Sequence, residues 1–146
     1  MIALVTDSNA MLPEDLRRRF DVEVVPLTVV IDGEAFAEGV DVTTAAFCAR
    51  LAAGSSVSTA APSPGAFLQA YERAAGRGAT AALSVHIGAN TSATLDSARL
   101  AAREAPIPVE LVDTGTASFP VACCVWAAGL ALERGAELEE SAAAAR

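Results

Sequence analysis

The chain has 146 residues, 53% hydrophobic and 19% charged, with a formal charge of −8 at pH 7. That suffices for one sizeable core, since a domain of about 150 residues buries roughly 70% of its unfolded surface. Every basic residue is Arg, with no run longer than Arg17-Arg18-Arg19, which argues against a nucleic-acid partner and against attraction to an anionic membrane.

The opening Met1-Ile2-Ala3-Leu4-Val5-Thr6-Asp7 has no basic flank and too short an apolar run for a signal peptide, which places the product in the cytoplasm. Ile2 to Thr6 is an unalternating, β-branched run that predicts a strand buried on both faces, ending in the polar turn Asp7-Ser8-Asn9. A helix should start at Pro13, with Glu14 and Asp15 in its first turn and the three arginines on its solvated face. Val22–Val25 and Leu27–Ile31 read as strands interrupted by Pro26, and Asp32-Gly33 is a hairpin signal. Thr43 or Thr44 can cap a helix that runs to about Ala53, where Gly54-Ser55-Ser56 stops it.

Two hydroxyl-bearing turns follow, Thr59-Ala60-Ala61-Pro62-Ser63-Pro64-Gly65 and Asn90-Thr91-Ser92-Ala93-Thr94, each expected to open a helix. Ser63-Pro64 is a cap and first-turn pair for a helix carrying Phe67, Leu68 and Tyr71 on one side. Ala79–Ile87 predicts the clearest buried strand, Thr94–Ala105 a helix, Val109–Asp113 a strand, and the uncharged stretch Pro120–Leu132 a buried helix too short to span a bilayer. The β–α alternation implies a parallel sheet with helices on both faces. Ligands of such sheets lie at the carboxyl ends of the strands. Here those loops are Asp7-Ser8-Asn9, Gly88–Ser92 and Asp113–Thr116, rich in hydroxyls and free of cations. Two helix starts converging there would hold an anion through neutral donors, which favours a carboxylate over a polyphosphate.

Cys48, Cys123 and Cys124 suit neither a zinc site nor a redox pair and are read as core packing, as are Phe119 and Trp126. His86, the only histidine, falls inside an apolar strand and is read as a satisfied buried side chain. Asp7 and Asp113 end strands, where each either caps a turn or positions a ligand; Thr59 and Ser92 are open between helix-cap and ligand roles.

In order and spacing, Val5-Thr6-Asp7-Ser8-Asn9-Ala10-Met11-Leu12-Pro13, Val25-Pro26-Leu27-Thr28 through Asp32-Gly33, and Pro62-Ser63-Pro64-Gly65-Ala66-Phe67 resemble the DegV family. Thr94 through Ala101, Val112-Asp113-Thr114 and Ala117-Ser118 continue the likeness over nearly the whole chain. The resemblance implies a three-layer α/β/α domain with a mainly parallel sheet, normally followed by a second α/β domain. It implies a subunit that binds a long-chain fatty acid and presents it to a fatty acid kinase, with no metal and no other cofactor. The carboxylate would be held by Thr59 and Ser92, with Asp7, Ser8, Ala60, Ser63, Gly88, Ala89, Thr91, Ala93 and Asp113 around the head group. Where the family has Ser-Gln, paired serines and a Gly, this chain has Ala60-Ala61, Gly88-Ala89 and Ala93.

Residues 1–146 correspond to the N-terminal domain, the junction falling near Ser141–Arg146, and a half standing alone is expected to homo-oligomerise through surface meant for the second domain. The alternative functions are a small phosphotransferase or hydrolase using Asp7 or Asp113 as nucleophile or base, and a regulatory half without a ligand. No Ser-His-Asp set is apparent along the chain, and no Lys is present to neutralise phosphates.

Overall fold

A computed structural model describes residues 1–146. Strands β1 (Ile2–Asp7), β2 (Glu23–Val25), β6 (Ala81–His86) and β7 (Val109–Asp113) form a parallel sheet in the order β2-β1-β6-β7. Central β1 and β6 bury every residue after their first, as their unalternating apolar runs require. On one face, Leu4, Leu83, Val85 and Val112 pack against Val125 and Ala128 of α5 (Phe119–Glu133) and Ala142 of α6 (Leu138–Ala144). On the other, Val5 and Ala82 pack against Phe67, Ala70 and Tyr71 of α3 (Pro64–Gly76) and Ala98 and Ala101 of α4 (Thr94–Ala102). The expected three layers are therefore present, with a short helix α1 (Glu14–Arg19) at the periphery. Residues Ser141–Ala144, read as a junction, form the end of α6, with Ser141 and Ala142 buried.

A separate antiparallel sheet, β4-β3-β5, consists of β3 (Thr28–Ile31), β4 (Glu34–Ala37) and β5 (Val57–Ala60), with α2 (Thr44–Ala52) between β4 and β5. Pro26 marks where the chain leaves one sheet for the other, because it cannot donate to a ladder. The β3–β4 turn has Asp32 at φ 52° and Gly33 at φ 87°, the paired left-handed residues that a tight hairpin needs. Strand β5 was not foreseen. Thr59 lies within it opposite Val29, and so belongs to a sheet edge and not to the turn that opens α3.

The helix starts behave as their residues dictate. Thr43 and Ser63 accept the Ala46 and Ala66 N–H groups at 3.2 Å, each satisfying one orphan donor. Helix α4 starts at Thr94 as expected but ends at Ala102 instead of Ala105. No helix is long and apolar enough to cross a membrane.

The core expectation fails for several side chains. Cys48, Cys123, Phe119 and Trp126 are exposed, and Cys124 is only half-buried. Helix α5 is apolar all round, so burial of Val121, Ala122, Val125 and Ala128 turns Phe119, Cys123 and Trp126, at spacings of four and three, to the outside.

Candidate functional site

Helices α3 and α4 lie side by side on one sheet face. Because α3 leads into β6 and α4 leaves it, both helix N-termini point to the carboxyl edge of the parallel sheet. This is the crevice position of open α/β sheets. Between the antiparallel lobe and the Ser8–Met11 segment that follows β1 lies a cavity of about 500 Å³, within the roughly 300–1,000 Å³ of small-molecule sites. Val29, Val42, Phe47 and Met11 supply apolar wall, while Ser8, Thr43, Thr44 and Thr59 bring hydroxyls. Glu38 also lines it, and no Arg does.

The predicted residues separate into groups. Ser8 and Thr59 meet at this cavity. The Ser8 hydroxyl is already committed, accepting the Leu27 N–H at 2.9 Å and donating to the Glu38 carboxylate. Ser92 is not among the lining residues; it sits half-buried on the loop before α4. Its Oγ accepts the Thr94 N–H at 3.3 Å and lies 2.8 Å from Thr94 Oγ1. With the buried Thr94 hydroxyl donating to Ser92, the Ser92 proton is free to donate outward. Thr91 and Ala93 are exposed in the same loop, and Ala93 stands at the helix N-cap with no side chain to cap it. Ala60 is exposed at the end of β5, and Ser63 is taken up by its cap.

Gly88 has a steric reason to lack a side chain. A Cβ there would stand 2.8 Å from the Gly115 carbonyl carbon and 2.7 Å from Asn90 Oδ1, because the Gly88 N–H donates to Thr116 O at 2.7 Å. Asp113 is exposed and caps this junction, its Oδ1 accepting the N–H groups of Ala89 at 3.1 Å and Gly115 at 3.0 Å.

Among the predicted head-group residues with polar side chains, Asp7 alone is completely buried. Its Oδ1 accepts the Asn9 N–H at 3.0 Å; its Oδ2 accepts the Ile87 N–H at 3.1 Å and pairs with His86 Nδ1 at 2.9 Å. His86 Nε2 lies 2.7 Å from Ser84 Oγ, so an acid, a histidine and a serine are joined in sequence although the chain order did not suggest it. Asp7 and His86 are 79 residues apart and are brought together by the β1–β6 register, in which Thr6 faces Val85. All three side chains are sealed from solvent, with Tyr71 OH 3.0 Å from Ser84. That geometry removes Asp7 and Ser84 as nucleophiles, because no substrate can reach them. No group of three His, Cys, Asp or Glu side chains is placed to hold a metal ion.

The family model for DegV proteins, described as uncharacterised, matches residues 1–146. The chain belongs to the DegV family. A DegV domain-containing protein of Streptomyces coelicolor is 40% identical over 144 residues, which are 99% of this chain and 51% of the relative. A DegV family protein of Thermus thermophilus, solved as a fatty-acid-binding protein, superposes with a TM-score of 0.89 at 40% identity, covering 99% of this chain and 51% of that one. A Thermotoga maritima protein whose structure revealed a fatty-acid-binding function gives a TM-score of 0.91 at 30% identity, over 99% and 53% of the two chains. This DegV chain therefore spans about half the length of the relatives it matches.

Proposed function

We propose that this DegV chain binds a long-chain fatty acid, receives its carboxylate at Thr59 and Ser92, and presents that carboxyl group to a fatty acid kinase that supplies phospholipid synthesis. The observation that carries the reading is the apolar-walled cavity with Thr59 on its rim, in a chain 40% identical to a fatty-acid-binding protein. The division of labour follows from magnitudes. Each buried CH₂ contributes about 0.8 kcal/mol, whereas a neutral hydrogen bond contributes about 0.5–1.5 kcal/mol. The acyl chain therefore sets affinity, and the hydroxyls set where the carboxylate points. On this reading the protein is a binding subunit that makes and breaks no bonds, working in the cytoplasm beside its kinase.

Residues 1–146 serve as the N-terminal half of the family's architecture. The second half, as in the longer relatives, or a second copy would cover the exposed Met11, Phe119 and Trp126.

The test is organic extraction and mass spectrometry of the purified chain, followed by fatty-acid titration of Thr59→Ala with Ser92→Ala. A bound fatty acid in the parent and an affinity loss of about fivefold to 150-fold in the double variant are expected, from about 0.5–1.5 kcal/mol per hydroxyl. Unchanged affinity removes these hydroxyls from the site, and no lipid even after incubation with fatty acids overturns the carrier reading.

A further inference from the structure

Fatty-acid binding gives no task to the buried polar series beneath the carboxyl edge of the sheet. Tyr71 OH, Ser84 Oγ, His86 Nε2 and, across the ring, His86 Nδ1 and Asp7 Oδ2 follow one another at 3.0, 2.7 and 2.9 Å, all shielded from solvent. The donor inventory fixes where the protons lie. Two backbone N–H groups, of Asn9 and Ile87, donate to the Asp7 carboxylate, which only accepts, so the 2.9 Å contact with it assigns a proton to His86 Nδ1.

With Nε2 bare, Ser84 donates to it and Tyr71 donates to Ser84, and every hydroxyl proton has an acceptor. With Nε2 also protonated, Ser84 has to accept from it and donate to Tyr71. The Tyr71 proton, kept in place by burial that pushes this phenol up to about 12, would then be left buried without an acceptor, a penalised state. The Phe67 ring, its centroid 5.0 Å from that of the imidazole at 80°, adds an apolar wall on that side. Asp113, the β7 register partner of His86, is exposed and points its carboxylate to the N–H groups of Ala89 and Gly115.

The connections of this series reach all three loops at the carboxyl edge. Asp7 immediately precedes Ser8 and holds the Asn9 N–H. It also holds the Ile87 N–H, at the root of the loop that ends in Ser92. The His86 carbonyl accepts the Thr114 hydroxyl at 2.8 Å, which ties in the loop after β7. We propose that neutral His86, protonated at Nδ1, is the positioning residue of the head-group site: it orients Asp7 and through it fixes the Ser8 and Gly88–Ser92 loops in the geometry the ligand meets. The link to a head group rests on the Thr59 and Ser92 reading; the link between His86 and the loops does not.

The experiment uses the whole 146-residue chain, in which His86 is the only histidine and gives isolated ring-nitrogen signals after ¹⁵N labelling. The Nδ1–H tautomer with Nε2 bare is expected at about pH 7; an Nε2–H tautomer or a doubly protonated ring overturns the proposal. Two variants separate positioning from filling. His86→Asn places an amide donor near the Nδ1 position, whereas His86→Leu keeps bulk without a donor. Amide exchange across residues 87–92 and affinity for a fluorescent C16 fatty acid should change by about tenfold or more in His86→Leu and by less than about threefold in His86→Asn. Equal exchange in the two variants overturns the positioning role whether or not lipid binds. Should His86→Leu fail to fold, exchange in His86→Asn against the parent decides, with loop exchange raised tenfold counting against the proposal. A parent that holds its loop as expected but binds no fatty acid refutes the ligand reading alone.

Discussion

In the parallel sheet, β1 and β6 bury all but their first residues and are covered on both faces by helices, whereas the antiparallel lobe has a core of only Val29 and Ile31 of β3 with Val42 from the segment before α2, and α2 buries none. The cavity lies where these two regions meet. Its rim combines the well-packed frame, through Ser8, with the lightly packed lobe, through Val42, Phe47 and Thr59. The difference teaches that the frame fixes position and the lobe supplies adaptable wall, since low burial is the physical content of local opening.

Breaking the frame should have the largest effect. Phe67→Ala empties a completely buried position that touches both Tyr71 and His86 and is expected to cost about 3–5 kcal/mol, read as a lower global midpoint in denaturant. Gly88→Ser drives a Cβ into the Gly115 backbone. It should cost about 1–3 kcal/mol, as overpacking does, and shift the amide resonances of residues 113–116; an unchanged melting temperature would show that the loops yield freely. Val42→Ala thins the small core of the lobe at a cost of about 1–2 kcal/mol. Faster amide exchange in β3 and β5 with an unchanged global midpoint is the expected signature, and equal loss of protection in β1 would make the two regions one cooperative unit.

The smallest effect concerns the frame's edge. Burial opposes ionisation of Glu23 on β2, but hydrogen bonds and charge from Arg73 of α3 and Arg77 just past its end hold its carboxyl below the ordinary 4.5. Because the folded value is depressed, this contribution is complete above the ordinary value and disappears as the pH falls through the folded one. Between about pH 6 and 3, Glu23→Gln should therefore lose less stability than the parent, by no more than about 1 kcal/mol for a partly exposed pair.

Legibility followed the same division. The unalternating runs of β1 and β6, the Asp32-Gly33 turn and the Ser63 cap were readable because each is set by local periodicity or backbone demand. Strand β5 was not, because Val57-Ser58-Thr59-Ala60 carries no pattern of its own and exists through pairing with β3. Helix α6 escaped notice because its contribution to the core is alanine, Ala142 above all, which gives almost no hydrophobic signal. The outward turn of Phe119, Cys123 and Trp126 was invisible in a helix apolar on every side. The role of Ser92 in bracing Thr94 was foreseen as one of two readings, whereas the burial of Asp7 was not.

By itself the sequence determined the layered α/β architecture and the DegV kinship, because short-range periodicity and ordered motifs are properties of neighbouring residues. The tertiary structure alone decided that Asp7 and His86 are partners, that Gly88 has no room for a side chain and that Thr59 faces a cavity with Ser8. Those facts depend on strand register and on the approach of segments far apart in the chain, and a linear pattern holds no distance between such segments.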